Sequence, residues 1–596
     1  MNDIKKIIYI FNKRQKIEFV FLIVITVIGG FVELLGVSSI LPLVNTIMDE
    51  NIIFENEIYF YIYSLLNMKS AREFVGLMAI ALVVVFVIKN LYIVFMNNLH
   101  YKFIFSCQKK LSNHLFSSYM KQRYSFHLMH NSAELQRNVL QDVAVFSSTI
   151  TAVMQLMTEI VVCVLLVAYL LSVDITTTIS VILIVGVSTG IFYLFYHKFL
   201  GKCGQRYREL NALNIKWLQQ SFGGVKEIKI LHRETFFIDV FHNQYTRATD
   251  AVHRQKLLGV LPKPLMETLC IGGLLSVIAI QIYNGADAMN FIPTISVFAV
   301  AAFRMLPSFN RITSDLSVVM FNRAGVNAIY EELHSIEEMQ DAYEESERVE
   351  QEYRLKMPLI FEKQIEVKDI WYRYENTETD VLKGINLVIP KNSSVAFIGA
   401  SGSGKTTLVD NILGVLQPFS GKICVDGIDI RENILSWYDK LGYIPQNIYL
   451  TDDTIRNNIA FGIPAEEIDE NKIWKALTEA QLDEFVKGLP EGLDTEIGEK
   501  GVRLSGGQRQ RIGIARTLYN EPEVLVMDEA TSALDNETEN AFMESLGLLK
   551  GKVTMLVVAH RLTTVINCDV IYDISGGVIT EVSHEEILEE LNRQRK

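Results

Sequence analysis

The sequence predicts an all-α membrane domain with six spanning helices, followed by an α/β domain built around a phosphate-binding loop. The mean hydropathy of +0.21 is high for a chain of 596 residues, and long apolar runs cluster in the first half. The second half carries the glycine-rich segment GASGSGKTT between an apolar run and a helical pattern. A chain of this length also requires more than one domain.

Charge divides the chain into two unlike halves. Residues 1–330 carry 29 Lys and Arg against 20 Asp and Glu, whereas the remainder carries 27 against 49 and holds the whole acidic excess behind the net charge of −13. This acidic balance gives no support to nucleic-acid binding. The six cysteines lie far apart without a CxxC pair, which favours buried or free thiols in a reducing compartment over zinc or redox sites.

Six apolar runs meet or approach the length of about 20 residues that a helix needs to cross a bilayer. We predict spans near residues 19–43, 74–96, 150–173, 175–195, 265–283 and 292–319. Lys and Arg concentrate on the cytoplasmic side of membrane proteins. Lys5, Lys6, Lys13, Arg14 and Lys16 precede the first span and therefore place the N-terminus inside. An even number of spans returns the acidic half to the cytoplasm.

Two long basic segments, 97–149 and 196–262, are predicted on the same inner side. Because they contain few helix breakers and keep a helical pattern, we expect the spans to continue as helices beyond the bilayer. Each should turn at its far end, near 124–134 and near 221–229. Ordinary cytoplasmic loops are the alternative.

The stretch 331–352 is dense in Glu and is typical of a solvated helix or linker. We therefore divide the chain into a membrane domain at 1–340 and a second domain at 341–596.

A phosphate-binding loop is predicted directly after the apolar run SSVAFI. GASGSGKTT fits the P-loop pattern, in which glycines let backbone N–H groups face phosphate oxygens and the next helix offers its positive end. Lys405 is expected to reach the outer phosphates, and Thr406 to coordinate Mg²⁺. The loop residues predicted to bind the nucleotide are Gly399, Ala400, Ser401, Gly402, Ser403, Gly404, Lys405, Thr406 and Thr407.

A second apolar strand, VLVMDE, ends in two carboxylates at residues 528 and 529. Asp528 fits the Mg²⁺ position, directly or through water, and Glu529 is placed to polarise the water that attacks the γ-phosphate. A solvated turn is the alternative for this DE pair.

The segment LSGGQ at 504–508 precedes a helical run and makes a second anion-binding helix N-terminus. Since one phosphate cradle is already present, this second one is expected to serve a different nucleotide. GASGSGKT, LSGGQ, VLVMDE, SALD and an isolated His occur in the order typical of ATP-binding cassettes. The whole second half resembles the ATP-binding cassette (ABC) family.

The resemblance implies a head-to-tail dimer in which two ATP molecules lie between the P-loop of one cassette and the LSGGQ of the other. In that family Gln446 matches the glutamine that senses Mg²⁺ and communicates with the membrane domain. His560 matches the switch histidine at the γ-phosphate, and residues 532–535 match the loop that crosses the dimer. The signature residues expected to bind the second nucleotide are Ser505, Gly506, Gly507 and Gln508.

Tyr374 is the candidate for stacking on adenine, with Tyr372 as the alternative; either is also compatible with a core aromatic. Because Glu529, His560 and an intact LSGGQ are all present, two identical chains would form two active sites. We expect a homodimer with about twelve spans, and a heterodimer with another chain is the alternative.

Six spans followed by a cassette resemble the exporter branch of the family. The fold class expected is therefore a six-helix exporter-type transmembrane domain joined to an α/β P-loop NTPase cassette. In that branch the cytoplasmic helix turns dock on the cassettes, ATP favours one membrane conformation, and hydrolysis resets it.

Charged residues within or beside the apolar spans are costly and point to function. Lys89, Lys263 and Arg304 come from three different spans and are predicted to line a cavity for an anionic head group such as a pyrophosphate. The alternatives are snorkelling of Lys to an interface or pairing with the acids of the spans, Glu33, Glu159 and Glu267.

Further local similarities suggest the transported molecule. The segments at 33–42, 223–231, 301–312 and 444–462 resemble exporters that flip polyprenyl-pyrophosphate oligosaccharides in bacterial protein N-glycosylation. The aromatic segment between the first two spans is expected to lie at the bilayer surface near a lipid tail, or else to form a small cap. The rival functions are a general lipid, drug or peptide exporter, and a nucleotide-gated membrane protein that does not pump.

Overall fold

The computed structural model describes residues 3–594 except 174, 262, 265–266, 269–270, 273–274, 277–282, 284–287, 339–357, 376, 529–546, 548 and 560–564. The chain forms two units. One comprises residues 1–122 and 130–341, and the other comprises residues 123–129 and 342–596. The predicted boundary near residue 340 falls in the undescribed stretch 339–357 and stays a prediction.

The first unit is helical throughout its described part. Its helices are α1 Asp3–Ile10, α2 Lys13–Ser38, α3 Ile40–Met48, α4 Ile52–Glu55, α5 Glu57–Leu65, α6 Ala71–Met120, α8 Ser132–Arg137, α9 Val143–Val173, α10 Ile175–Gly223, α11 Val225–Ile230, α12 Glu234–Val260 and α13 Ala288–Glu338; α7 is Tyr124–Met129 of the second unit. A π-helical turn, Asn138–Asp142, joins α8 to α9.

Three helices are far longer than a bilayer requires. Helices α6, α10 and α13 contain 50, 49 and 51 residues, or about 75 Å each at 1.5 Å per residue, against a hydrocarbon core of about 30 Å. The two predicted turns fall at α7–α8 and at α11. The chain therefore reverses direction well away from the apolar runs.

Within the described residues, three segments are long and apolar enough to cross a membrane: Lys13–Gly36, Ala71–Met120 and Ser132–Ser172. The predicted spans at 175–195 and 292–319 fall inside α10 and α13. The predicted span at 265–283 lies largely outside the described residues, so the count of six stays a prediction. The first span was placed wrongly at its end, because α2 stops at Ser38 and a new helix begins at Ile40.

The described residues of the second unit form two sheets. Strands β1 Gln364–Tyr372, β2 Leu382–Pro390, β4 Ser420–Val425 and β5 Ile428–Asp429 form an antiparallel sheet in the order β2-β1-β4-β5. The other sheet has the order β10-β9-β3-β8-β7-β6 and contains β3 Ser394–Ile398, β6 Leu441–Ile444, β7 Val524–Asp528, β8 Thr554–Val558, β9 Val570–Ser575 and β10 Val578–Glu581.

Five neighbouring strands of this second sheet, β9, β3, β8, β7 and β6, are parallel. Alternate residues of β3 face opposite sides, so that Val395 and Phe397 enter one apolar core and Ala396 the other. Besides α7, the helices in the described part of this unit are α14 Lys405–Leu413, α15 Ile434–Tyr438, α16 Ile455–Ile459, α17 Glu470–Glu479, α18 Asp483–Lys487, α19 Gly506–Leu518 and α20 His584–Gln594. In parallel sheets that are covered on both faces, ligands bind at the carboxyl ends of the strands.

Candidate nucleotide-binding site

Four predicted site residues follow the carboxyl ends of parallel strands. Gly399 follows β3, Asp528 ends β7, Gln446 lies two residues beyond β6, and His560 lies two residues beyond β8. Strand β8 pairs with both β3 and β7, and β6 pairs with β7. The topology therefore brings Gly399, Asp528 and Gln446 to one edge of the sheet. His560 lies outside the described residues, and its place at this edge stays a prediction.

The loop between β3 and α14 has a conformation that glycine alone allows at its two ends. Gly399 has φ +141° and Gly404 has φ +105°, both outside the range that L side chains adopt readily. A Cβ at Gly399 would collide with the carbonyl oxygen of Ile574 and would lie 2.8 Å from Ser403 Oγ. The loop is thus fixed by close packing against β9, before any ligand is considered.

Lys405 closes this loop. Its side chain is buried, and its ammonium donates hydrogen bonds to the carbonyl oxygens of Gly399 and Ala400, each at 2.9 Å. Ser403 Oγ is buried in the same loop without a hydrogen-bond partner. Since Lys405 also begins α14, the cation, the first backbone N–H groups of the helix and its positive end coincide. This arrangement fits the outer phosphates of a nucleotide.

A pair of oxygen donors lies beside the loop. Thr406 Oγ1 donates to Asp528 Oδ1 at 3.4 Å, and Asp528 is 7% exposed at the end of β7. Oxygen donors of this kind suit Mg²⁺, which prefers one or two protein ligands together with phosphate oxygens and water. Among the described residues, no group of three His, Cys, Asp or Glu side chains converges as a metal site. The donor set therefore fits a cation that the nucleotide helps to bind.

Asp410 is a further carboxylate that the sequence did not reveal. It lies on α14, and burial together with the negative charge of Asp528 raises its pKa to about 6. Tyr124 of α7 belongs to the same unit. Burial raises the pKa of Tyr124, and the negative charge of nearby Asp410 raises it further. No sequence motif indicates a role for Asp410, because only the tertiary fold brings Asp410, Asp528 and Tyr124 together.

The two tyrosines considered for adenine differ in environment. Tyr372 is 6% exposed within the core, and burial raises its pKa to about 12. Tyr374 is half-buried, and its hydroxyl lies 3.0 Å from Thr407 Oγ1 on α14. The rings meet edge to face with centroids 5.1 Å apart. Tyr374 thus presents the more accessible ring beside the phosphate-binding helix, and its role stays a prediction.

The LSGGQ segment begins helix α19 as an exposed N-terminus. Ser505 caps the helix by accepting a hydrogen bond from Gln508 N at 3.2 Å, and Gln508 Oε1 accepts one from Ser505 N at 2.8 Å. This reciprocal pair is a capping box. A Cβ at Gly506 would meet open space. The surface in front of the helix is therefore open to an anion.

Several predicted residues fall elsewhere. Glu529, His560 and the loop 532–535 lie outside the described residues, as does the side chain of Arg304. Lys263 is described, and its side chain is exposed on the membrane unit. Lys89 Nζ lies 3.2 Å from Glu33 Oε1, with both side chains largely buried, so one of the pairings considered above is present. The structure does not bring the three cations together within its described part, and their cavity stays a prediction.

Arg311 was not among the charged residues predicted to have a role. Its Nη1 lies 2.6 Å from Glu159 Oε1, and this carboxylate side chain is only 4% exposed. Asp315, four residues further along α13, is also buried. Two charges with helical spacing in an apolar run were the available signal.

Comparisons with known proteins place both units. The model of the ABC transporter transmembrane region matches residues 19–258, and the ABC transporter model matches residues 382–532. A protein of Syntrophus aciditrophicus named ATP-dependent lipid A-core flippase is 32% identical over 485 residues, which cover 80% of this chain and 78% of that protein. The chain belongs to the ABC transporter family.

Other relatives agree with this ABC assignment. A protein of the same name from Desulfotalea psychrophila is 30% identical over 474 residues, covering 78% of this chain and 80% of its own length. Another from Francisella novicida is 44% identical over 228 residues, covering 38% of each chain. A solved bacterial Atm1-family ABC exporter with ATP bound has the same fold, with a TM-score of 0.72, 19% identity and 98% of both chains covered.

The predicted family and fold class are therefore confirmed. The chain is an ATP-driven ABC exporter of the half-transporter type, with one membrane domain and one ATPase cassette. It binds ATP and couples ATP hydrolysis to transport across the membrane in which it is embedded.

Proposed function

We propose that this ABC exporter flips a lipid-linked oligosaccharide, carried on a polyprenyl pyrophosphate, from the inner to the outer leaflet of the bacterial inner membrane. The supporting observation is the similarity of 485 residues to a protein named as a lipid A-core flippase, which is too long to be confined to the cassette. The choice of a pyrophosphate-linked glycan rests on the local segments at 33–42, 223–231, 301–312 and 444–462.

Two chains form the working unit in this proposal. The loop at Gly399–Lys405 of one cassette and the open N-terminus at Ser505 of the other enclose each ATP, with the N-terminus of the chain and both cassettes in the cytoplasm. This head-to-tail use of the two cradles explains why one cassette carries two anion-binding helix termini, of which Ser505 begins a helix with open space in front of Gly506.

The residues of each site have distinct parts in hydrolysis. Lys405 holds the outer phosphates, Thr406 and Asp528 hold Mg²⁺, and Gln446 lies beside them at the same edge of the sheet. Mg²⁺ supplies charge neutralisation between the phosphates when it is bound. Glu529 orients and polarises the attacking water, and His560 contacts the γ-phosphate.

The exposed surface of helix α5 supports a lipid substrate. Helix α5 contains no buried residue within the chain, and Ile58, Tyr61 and Leu65 are 68%, 64% and 65% exposed. Such an aromatic and apolar surface is stable beside acyl or prenyl chains. Its position between the first two membrane helices favours contact with the tail of a transported lipid.

Reconstitution in liposomes tests the proposal. Fluorescent polyprenyl-pyrophosphate oligosaccharide is placed in both leaflets, and its ATP-dependent protection from an external modifying enzyme is followed. We expect flipping by the wild type and none by Glu529→Gln. The proposed substrate would be wrong if lipid A-core, drugs or peptides stimulate ATPase activity and the pyrophosphate-linked lipid does not. The class of molecule that stimulates the activity would then be the substrate.

A further inference from the structure

The segment that follows Gln446 is attached along its length to the helix that begins at the LSGGQ signature. This segment, residues 446–461, contains part of the motif IPQNIYLTDDTIRNNIAFG. Just before it, Thr517 Oγ1 of α19 donates to the carbonyl oxygen of Tyr443 at 3.1 Å. Further along, a Cβ at Gly513 of α19 would collide with the side chain of Ile448. The segment and the helix are therefore in close contact on both sides of Gln446.

Arg516 of α19 makes the strongest connection. Its Nε and Nη2 donate to the carbonyl oxygen and to Oδ1 of Asn458 at 2.7 and 3.0 Å, and Nη1 donates to the carbonyl oxygen of Tyr449 at 2.7 Å. The guanidinium also lies 4.5 Å from the centre of the Phe461 ring. Three charge-assisted hydrogen bonds in a planar fork, together with a cation–π contact, fix the relative position of two backbone segments.

Asn458 makes the segment itself rigid. Its side chain is fully buried. Its Oδ1 accepts from the backbone N–H and the hydroxyl of Thr451 at 3.0 and 3.1 Å, and its Nδ2 donates to the carbonyl oxygens of Thr451 and Thr454 at 3.1 and 3.0 Å. A polar hub with all its hydrogen bonds satisfied holds one loop conformation. Arg516 thus binds a segment whose backbone conformation is fixed by the hydrogen bonds of Asn458.

We propose that Arg516 is a positioning residue that joins the Gln446 segment and the signature helix into one body, so that a displacement at Gln446 reaches Ser505 of the same cassette. Arg516 lies near the end of α19, eleven residues after Ser505, or about 16 Å along the helix axis. It therefore acts on catalysis through these two elements and not by touching the nucleotide. The inference rests on the nucleotide roles of Gln446 and the signature in the proposed function.

The test uses the full-length protein in nanodiscs and compares Arg516→Lys with Ile512→Val. Lys keeps the charge but loses the planar fork. Ile512 is fully buried on the same helix and makes none of the contacts of Arg516, so Val lowers stability without altering the connection. For Arg516→Lys we expect kcat for ATP to fall about tenfold or more, which corresponds to about 1.4 kcal/mol, with KM for ATP within about twofold of wild type. Ile512→Val should keep kcat per folded molecule.

Amide hydrogen exchange gives the readout that a merely structural role would not change. During trapping with ADP and vanadate, residues 446–461 and 505–518 of the wild type should gain protection at the same rate. In Arg516→Lys the two segments should gain it at different rates. Equal rates in Arg516→Lys, or unequal rates in the wild type, overturn the inference; the wild-type measurement holds even if the variant does not fold. Undiminished ATP turnover in Lys405→Ala would refute the nucleotide site of the proposed function instead, so the two failures are distinguishable.

Discussion

Replacing Lys89 by Met tests whether this cation serves the fold or the transported molecule. The side chains of Lys89 and Glu33 are 12% and 6% exposed, and Nζ lies 3.2 Å from Oε1. The ammonium also lies 4.6 Å from the centroid of the Phe86 ring. The aliphatic stem passes Gly36, where a Cβ would lie 3.3 Å from Lys89 Cδ. Met preserves this stem and removes the charge.

The expected loss in the free energy of unfolding follows from these contacts. Removing one partner of a buried ion pair costs about 3–5 kcal/mol, and the lost cation–π contact adds about 0.5–2 kcal/mol. We expect Lys89→Met to lower the free energy of unfolding by about 4 kcal/mol or more. The double variant Lys89→Met with Glu33→Met removes both charges. It should recover most of this loss, because apolar residues of similar volume can replace a buried pair at little cost.

Unfolding in nanodiscs measures stability, and liposome flipping measures transport. If Lys89 serves only the fold, the double variant recovers both stability and flipping. If Lys89 binds the anionic head group, the double variant recovers stability while flipping stays low. A double variant as unstable as Lys89→Met alone would refute the reasoning about the pair.

Three further predictions concern the cassette. Lys405→Ala should abolish ATP turnover in a phosphate-release assay because the loop loses the cation that reaches the outer phosphates; undiminished turnover would contradict the site. Tyr374→Leu should weaken ATP binding about tenfold or more, since base stacking contributes about 1–3 kcal/mol, and Tyr372→Phe should leave affinity unchanged in a titration with a fluorescent ATP analogue. A raised pKa of about 6 for Asp410 means that its charge destabilises the fold above pH 6 and that this cost disappears as the pH falls towards 4. Asp410→Asn should therefore raise the free energy of unfolding by about 1–3 kcal/mol at pH 7.5 and by less at pH 5, whereas identical pH profiles of stability would exclude this assignment.

Local patterns in the sequence were sufficient for the fold class and the phosphate loop. The P-loop glycines and Lys405 lie within nine residues, and the requirement for positive φ is a property of the chain itself. Long apolar runs also predicted helices, but not the break between Ser38 and Ile40, because the run stays apolar across it. Hydropathy reports burial and is insensitive to a local change of backbone direction.

Contacts distant in the chain were not predictable in the same way. Arg516 and Asn458 are 58 residues apart, and Asp410 and Asp528 are separated by more than a hundred. Each is an ordinary polar residue in its own neighbourhood. Their importance depends on which backbone groups the fold brings beside them, and a single sequence carries no direct record of that pairing.

The assignment of residues 123–129 to the same unit as residues 342–596 has a practical consequence for anyone who wishes to work with this second unit alone. A fragment cloned from residue 342 onwards would lack one helix of this unit. It would also lack Tyr124, whose pKa is raised by burial in the intact chain. Supplying the missing heptapeptide as a synthetic additive, or grafting it by a short tether, is the natural remedy. Crystallisation and drug-screening campaigns on such a fragment should include it from the start.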